Sequence, residues 1–215
     1  MQSLRQFLKK LRPHKTPALD LVGYEVLLDF IEEHSMHRLE GDLIEIGSFM
    51  GGGTVKLARY ARRHGKRVFA VDIFDPAVDG TATPAGTIMR DIYLAFLKER
   101  PQLEVYEQAV RGLDNIVTIR QDSRKVSFPP EQRFIFGFID GNHHPDYVRN
   151  DFRIIWQNLV DGGALGFHDY NTDLPDVTNC INEIVVEHAE EIVEAHEIAP
   201  QHIMLLMKGK KTAIS

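Results

Sequence analysis

The sequence has little cysteine, no long apolar run and no excess of positive charge, and each deficit excludes a class of protein. Its single cysteine, Cys180, cannot form an internal disulfide and lacks the Cys or His spacing of zinc sites. The longest apolar runs, such as 134–139, fall short of the roughly 20 residues that a membrane-spanning helix needs. The net charge of −6 does not supply the basic field that general nucleic-acid binding requires.

What the chain does have is the composition of a folded domain. Of its 215 residues, 43% are hydrophobic and 26% are charged, which suffices for one buried core and excludes disorder as the main state. The chain opens without the charged-then-apolar leader of secreted proteins. We therefore expect a cytoplasmic protein that handles small molecules, without an integral membrane span and without a nucleic-acid partner.

Short β-rich runs alternate with helical patterns from Asp42 onward, which predicts a parallel sheet with crossover helices. Only Ala199-Pro200-Gln201 joins the last two strands, so this pair should be antiparallel. We predict a Rossmann-like, doubly wound α/β fold of about seven strands, with Gly162-Gly163 separating the third crossover helix from the next strand. The predicted strands are 42–46, 67–73, 116–120, 134–139, 164–167, 191–198 and 202–207, and the predicted helices are 53–64, 87–99, 145–159 and 176–190.

Residues 1–40 form a predicted helical segment ahead of the main domain, 41–215. The pattern of 2–11 is that of an amphipathic helix with one apolar and one basic face. Such a helix can lie on an anionic membrane or pack against protein. Its few apolar residues favour packing, and with it a homo-oligomer formed through the N-terminal helices.

A glycine-rich turn follows the first predicted strand. The run Gly47-Ser-Phe-Met-Gly51-Gly-Gly53 leads into a helix, where glycines let the backbone approach a ligand and the helix N-terminus offers free N–H groups. Its spacing differs from the G-x-G-x-x-G of dinucleotide sites. Asp72 ends the second strand, where an acidic side chain can accept hydrogen bonds from both hydroxyls of a ribose. A helix cap or turn is the alternative role of Asp72.

This combination resembles the class I S-adenosylmethionine-dependent methyltransferases, with Glu45-Ile-Gly47 and its glycine cluster as their first motif and Val71-Asp72 as their second-strand acid. The resemblance covers about residues 42–207. It implies that the methionine part of the cofactor lies beside Glu45 and Gly47, and that Asp122, otherwise a turn residue, flanks the adenine. Further cofactor contacts are then expected among the residues of the turn and at the end of the fourth strand: Ser48, Gly51, Gly53, Thr54 and Asp140.

A second group of polar residues follows the fourth and fifth strands: Asp140 and His143 after one, His168 and Asp169 after the other. Parallel strands deliver their carboxyl ends to one edge, so the two carboxylates should converge. They would repel each other unless a cation or a shared proton lay between them. A divalent ion such as Mg²⁺ fits, and His168 as a nitrogen ligand would favour Mn²⁺, Fe²⁺ or Zn²⁺.

These residues narrow the resemblance to macrocin-type sugar O-methyltransferases and cephalosporin-hydroxylase-like proteins. Similarity to metal-dependent catechol-type enzymes implies that Asp140 and Asp169 bind metal and that His143 is the general base. Tyr170 stands where those enzymes have an asparagine, so Asn171, His168 or a water would complete the ligand set.

We predict a methyltransferase acting on a hydroxyl of a sugar or phenolic small molecule. A metal-dependent hydroxylase and a catalytically silent cofactor-binding protein are the alternatives, and turn or cap roles are the structural alternative for the acidic pair.

The segment between the second and third strands, 74–114, is unusually long. Its first part contains Pro76, Gly80, Pro84 and Gly86 among small and polar residues. Long loops of this kind are usually functional or mobile. We expect either a cover that closes over the substrate or a solvent-exposed embellishment.

Overall fold

The computed structural model describes residues 20–209, and seven strands of this part form one sheet. The strands are β1 (Asp42–Ile46), β2 (Val68–Asp72), β3 (Ile116–Arg120), β4 (Phe134–Ile139), β5 (Leu159–Phe167), β6 (Ile192–Ile198) and β7 (Ile203–Lys208). Their order is β3-β2-β1-β4-β5-β7-β6, and β7 pairs antiparallel with both neighbours while the other pairs are parallel. The predicted fold class is therefore confirmed.

Helices cover both faces of the sheet. Those in the described part are α1 (Glu25–Glu33), α2 (Gly52–Arg63), α3 (Met89–Leu97), α4 (Gln102–Val110), α5 (Pro145–Trp156) and α6 (Pro175–Glu187). One apolar cluster joins α5 and α6 to the sheet, and a second joins α1 and α2 to the opposite face. All six residues of β4 are buried, as expected for a central strand that is covered on both sides. No helix among residues 20–209 combines the length and apolar character that crossing a bilayer requires.

The carboxyl ends of the central strands form the edge on which polar residues gather. Asp140 continues β4, and its N–H donates to the carbonyl oxygen of Ile46 at 2.8 Å. His168 continues β5, and its N–H donates to Ile139 at 2.9 Å. The chain reverses its direction of progress across the sheet between β1 and β4, which is where open α/β sheets bind ligands.

Two details of the sequence-based fold prediction were wrong. The segment between β2 and β3 contains α3, where a helix was predicted over 87–99, but also a second helix, α4, that was not predicted, and a short β-bridge between Ala82 and Ile88. Gly162-Gly163 does not separate helix from strand, since α5 ends at Trp156 and both glycines lie inside β5. Gly162 has a φ of +81°, so it sits at an irregular point of the strand that glycine tolerates.

The described part of the N-terminal region packs directly on the domain. Leu27 and Ile31 of α1 are fully buried in the apolar cluster that also contains Leu43 and Phe136. The predicted helix 2–11 lies outside the described residues. The division of the chain at residue 40 therefore stays a prediction, as does the homo-oligomer.

Gly53 lies where α1 meets α2, and its lack of a side chain admits the ring of Tyr24. A Cβ at Gly53 would lie 2.1 Å from Cζ of Tyr24. We therefore expect Gly53→Ala to lower the free energy of unfolding by about 3 kcal/mol, measured by urea unfolding, because the ring cannot move without disturbing its buried surroundings.

The same measurement contains its own controls. Gly80→Ala should change stability little, since no atom lies within 4 Å of a Cβ built there. In a Tyr24→Ala background, where the ring is gone, Gly53→Ala should cost almost nothing. An equal loss in both backgrounds would show that Tyr24 is not what Gly53 accommodates.

Candidate active site

A cavity of about 850 Å³ opens at the carboxyl edge of the sheet. Gly47 and Asp72 line one end, and Asp140, His143 and Asp169 line the other. This volume lies within the range of small-molecule sites. The two groups of polar residues predicted from the sequence therefore share one cavity.

The turn after β1 approaches this cavity only at its first residues. Gly47 has a φ of +92°, and a Cβ there would lie 2.0 Å from the carbonyl oxygen of Asp140, so no other residue fits. Phe49 also lines the cavity and has a left-handed φ of +46°. Its N–H donates to Oδ2 of Asp72 at 2.8 Å, a contact that holds the turn in this conformation.

The rest of the glycine-rich turn faces protein. Gly51 packs against Tyr106 and Gly53 against Tyr24, and Ser48 and Thr54 are buried. Glu45 lies below them, where it accepts hydrogen bonds from the hydroxyls of Tyr24, at 2.7 Å, and Thr54. The residues that line the cavity do not include Glu45, Ser48, Gly51, Gly53 or Thr54. In this structure Gly51 packs against α4 and Gly53 against Tyr24, so a role of these five residues at the cofactor stays a prediction, and we leave them out of the cofactor site proposed below.

Asp72 lies at the cavity wall with both oxygens already engaged. Oδ1 accepts a hydrogen bond from the N–H of Phe74 at 2.6 Å, and the side-chain amide of Gln102 donates to both oxygens at 3.2 and 3.3 Å. Burial raises the pKa of Asp72 to about 6, although these donors oppose the shift. Like Phe49, Phe74 has a left-handed φ, of +55°. Asp72 therefore organises two turns around one end of the cavity.

Asp122 lines the same end of the cavity from the turn after β3. Arg124 binds it through Nη2 at 2.7 Å and holds the pKa of the carboxyl below its usual value. Its Oδ1 also accepts the N–H of Arg124, which makes Asp122 the cap of a short 3-10 turn. The structure thus combines the turn role with a place on the cavity wall.

Asp140, His168 and Asp169 converge at the other end. Nδ1 of His168 lies 3.0 Å from Oδ1 of Asp140 and 3.0 Å from Oδ2 of Asp169. Burial alone would lower the pKa of His168, but the carboxylates of Asp169 and Asp140 raise it well above its usual value. The imidazolium of His168 therefore compensates the charge of the two carboxylates in this structure.

His143 is buried between two carboxylates. Its Nε2 lies 2.7 Å from Oδ2 of Asp169, and its Nδ1 lies 2.6 Å from Oδ2 of Asp79. Burial lowers the pKa of the imidazole, but Asp169 and Asp79 outweigh it and raise the pKa to about 10. The ring is consequently an imidazolium at neutral pH in this structure.

Comparison with known proteins identifies the family. A family model described as a methyltransferase domain matches residues 44–170, more than half of the chain, from within β1 to the end of the second polar group. The chain belongs to this family. The predicted membership of the class I methyltransferases is thereby confirmed.

Solved structures share the fold of this methyltransferase domain. The O-methyltransferase NovP has a TM-score of 0.68 and 16% identity, over 89% of this chain and 81% of NovP. CalS11, a TDP-rhamnose 3'-O-methyltransferase of calicheamicin biosynthesis, has a TM-score of 0.61 and 15% identity, over 97% of this chain and 93% of CalS11. MycE of the mycinamycin pathway, in complex with Mg and SAH, has a TM-score of 0.55 and 15% identity, over 99% of this chain but 56% of MycE.

At these identities the likeness shows the fold alone. No curated protein sequence matches the chain. What the methyltransferase domain binds must therefore be argued from its own residues.

The donor set of the second polar group suits a divalent cation. One ligand atom each of Asp140, His168 and Asp169 lies within 4.8 Å of the other two. Two carboxylates and one imidazole are the ligand types that Mn²⁺ accepts more readily than Mg²⁺. The residue types present thus fit the metal predicted from the sequence, and His168 would bind it after releasing the proton that the two carboxylates favour in this structure.

Three residues of this methyltransferase domain were missed by the sequence analysis. Asp79, Tyr93 and Gln102 all come from the segment between β2 and β3, and all line the cavity. The hydroxyl of Tyr93 lies 3.4 Å from both Oδ2 of Asp79 and Nδ1 of His143. In the sequence, the only local indication of this part of the site is the acidic residue Asp79, which is followed by Gly80 among small loop residues.

The buried carboxyl of Glu45 should make the stability of the protein depend on pH. Burial raises its pKa from 4.5 to about 7, against the opposing hydrogen bonds from Thr54 and Tyr24. Between these pH values the folded state binds a proton that the unfolded state has lost, so the free energy of unfolding falls as the pH rises from about 4.5 to 7. The total loss is at most about 3 kcal/mol.

Glu45→Gln removes this titration while its amide can still bond to both hydroxyls. At pH 8 we expect the variant to unfold in urea with a free energy higher by about 2–3 kcal/mol, a difference that disappears near pH 4.5. Glu40→Gln, at an 89% exposed side chain, should match the wild type at both pH values. A constant difference between Glu45→Gln and the wild type at every pH would contradict this explanation.

Proposed function

We propose that this methyltransferase domain transfers a methyl group from S-adenosylmethionine to a hydroxyl oxygen of a small molecule. One observation carries the proposal: a single cavity joins Asp72 and Gly47 at one end to His143, Asp140 and Asp169 at the other. A nucleoside cofactor and an ionisable acceptor hydroxyl need these two environments side by side. NovP and CalS11, described as O-methyltransferases, support this choice of reaction.

The cofactor would occupy the end formed by β1, β2 and β3. Asp72 is the acceptor for the ribose hydroxyls, which would take the place of the Gln102 amide on its oxygens. Asp122 and its turn flank the adenine, and Gly47 lets the methionine part lie against the backbone. The proposed cofactor residues are thus Gly47, Asp72, Asp122 and the backbone around Asp140.

Methyl transfer from a sulfonium is an in-line displacement. The cofactor supplies an activated methyl whose S–C bonding pair returns to sulfur as the new O–C bond forms. The protein must hold the acceptor oxygen in line with that bond and take its proton. We assign the role of base to His143, whose Nε2 faces Asp169 at the cavity and would become free to take the proton when Asp169 binds the cation.

His143 can accept a proton only as a neutral imidazole, whereas Asp169 and Asp79 keep it charged in this structure. A cation held by Asp140, Asp169 and His168 would offset the negative charge responsible and would also acidify an acceptor hydroxyl. We propose Mn²⁺ or Mg²⁺ in this role. MycE, solved with Mg and SAH, supports the same idea.

Titration calorimetry with S-adenosylhomocysteine tests the cofactor, and methyl transfer to a panel of glycosides and phenols, with and without EDTA, tests the reaction. We expect micromolar binding and a turnover that EDTA abolishes. No binding at millimolar ligand would overturn the proposal, and full turnover in EDTA would remove only the metal. Binding without turnover would favour a silent binding protein, and oxygen consumption with reduced iron would favour a hydroxylase.

A further inference from the structure

Several residues of the segment between β2 and α3 line the cavity, and one of them, Asp79, contacts His143. Its side chain is 5% exposed, and its Oδ2 lies 2.6 Å from Nδ1 of His143. The distance along the chain between the two residues is 64 positions, so the contact is purely tertiary.

Asp79 is itself held firmly from its own segment. Its Oδ1 accepts the N–H of Thr81 at 3.0 Å, and its carbonyl oxygen accepts the N–H of Arg90, in the first turn of α3, at 3.1 Å. Tyr93 of α3 adds its hydroxyl beside Oδ2. These contacts fix the carboxylate of Asp79, so that it presents Oδ2 to His143 in one position.

The carboxylates of Asp79 and Asp169 each bind a different ring nitrogen of His143. Asp79 takes Nδ1 from the segment after β2, while Asp169 takes Nε2 from the edge of the sheet. Asp169 also contacts His168 and belongs to the candidate cation site, whereas the side-chain hydrogen bonds described for Asp79 are with His143, Tyr93 and Thr81 of its own loop. Asp79 is therefore the partner whose contact with the ring does not depend on the cation.

We propose that Asp79 is a positioning residue that orients His143. By accepting the Nδ1–H it prevents the ring from flipping and keeps Nε2 on the side of Asp169, where Nε2 would take the proton of the acceptor hydroxyl once Asp169 binds the cation. The inference rests on the proposed function and assigns the segment between β2 and β3 a part in catalysis. Asp79 acts through His143 and does not touch the reacting atoms.

A double-mutant cycle separates positioning from simple stabilisation of the segment. Asp79→Ala should lower kcat by about 100-fold, within the range that a misplaced general base loses, and should change KM and the Kd of S-adenosylhomocysteine by less than about threefold. In a His143→Gln background the same change should lower kcat by less than about threefold. Asp91→Ala, at an exposed acid of α3, is the matched control and should match the wild type.

Nuclear magnetic resonance provides a second measurement that needs no turnover. With ¹⁵N-labelled histidine, the Nδ1 proton of His143 should appear as a slowly exchanging downfield signal that His143→Gln and Asp79→Ala remove and Asp91→Ala keeps. An unchanged signal in Asp79→Ala would overturn the inference, as would an equal loss of kcat in both backgrounds. If the wild type binds no cofactor while the signal behaves as expected, the proposed function fails and the orientation of His143 by Asp79 stands.

Discussion

Asp169→Asn is expected to lower kcat by about 1,000-fold, toward the upper part of the range for losing one element of acid–base or electrostatic catalysis. Its Oδ2 faces both Nε2 of His143, at 2.7 Å, and Nδ1 of His168, at 3.0 Å. The amide that replaces it carries no charge and cannot compensate both rings or bind a cation strongly. One substitution thus removes a ligand of the cation site and the charged partner of Nε2 of His143 together.

The fold should survive this change. Asp169 has a left-handed φ of +60°, a conformation in which asparagine is as favourable as aspartate. Circular dichroism and the melting temperature should therefore stay close to those of the wild type. Asp161→Asn, at an exposed position of β5, is the matched control and should keep full activity. A fully active Asp169→Asn enzyme would refute the proposed site.

Measurements of metal binding distinguish the two proposed roles of Asp169, as a cation ligand and as the partner of His143 and His168. If the cation is required, Asp140→Asn and Asp169→Asn should both weaken Mn²⁺ binding in calorimetry by more than about tenfold, since each removes one of two carboxylate ligands. If Mn²⁺ does not bind the wild type but Asp169→Asn is still inactive, Asp169 acts through His143 and His168 alone.

The strands could be predicted because a short run of β-forming residues is visible in the local sequence. The predicted bounds of β1, β3 and β4 agree with the structure, and β4, which is buried on both faces, is a continuous apolar run. The convergence of Asp140, His168 and Asp169 could also be predicted, because the carboxyl ends of parallel strands lie at one edge of the sheet. Whether those residues hold a metal could not follow, because His168 can itself supply the positive charge between the carboxylates.

The glycine-rich turn shows where local pattern fails. Its glycines fit a cofactor loop, yet a side chain at Gly53 would collide with the ring of Tyr24. Tyr24 immediately precedes α1 and lies 29 residues before Gly53 in the chain. Only Gly47 and Phe49 of the turn reach the cavity. A glycine signals that something approaches closely, and the sequence does not say whether that is a ligand or a side chain. Asp79 was missed for the related reason that its partner lies 64 residues away.

Asp72→Ala should weaken the binding of S-adenosylhomocysteine by about 100-fold. Two hydrogen bonds from ribose hydroxyls to a carboxylate are together worth about 3 kcal/mol, which corresponds to that factor. Asp72 also accepts the N–H groups of Phe49 and Phe74, both held at a left-handed φ. Losing it should release both turns, so the loss of affinity should be accompanied by a lower melting temperature.

Two further variants show whether the ribose itself is what Asp72 binds. Gln102→Ala removes the amide that lies 3.2 and 3.3 Å from the two carboxylate oxygens. If the ribose hydroxyls replace that amide, Gln102→Ala should not weaken the binding of S-adenosylhomocysteine, since the ligand no longer has to displace it. Asp114→Asn, at a 79% exposed side chain, is the control for charge. An Asp72→Ala protein that binds S-adenosylhomocysteine as tightly as the control would place the nucleoside elsewhere in the cavity.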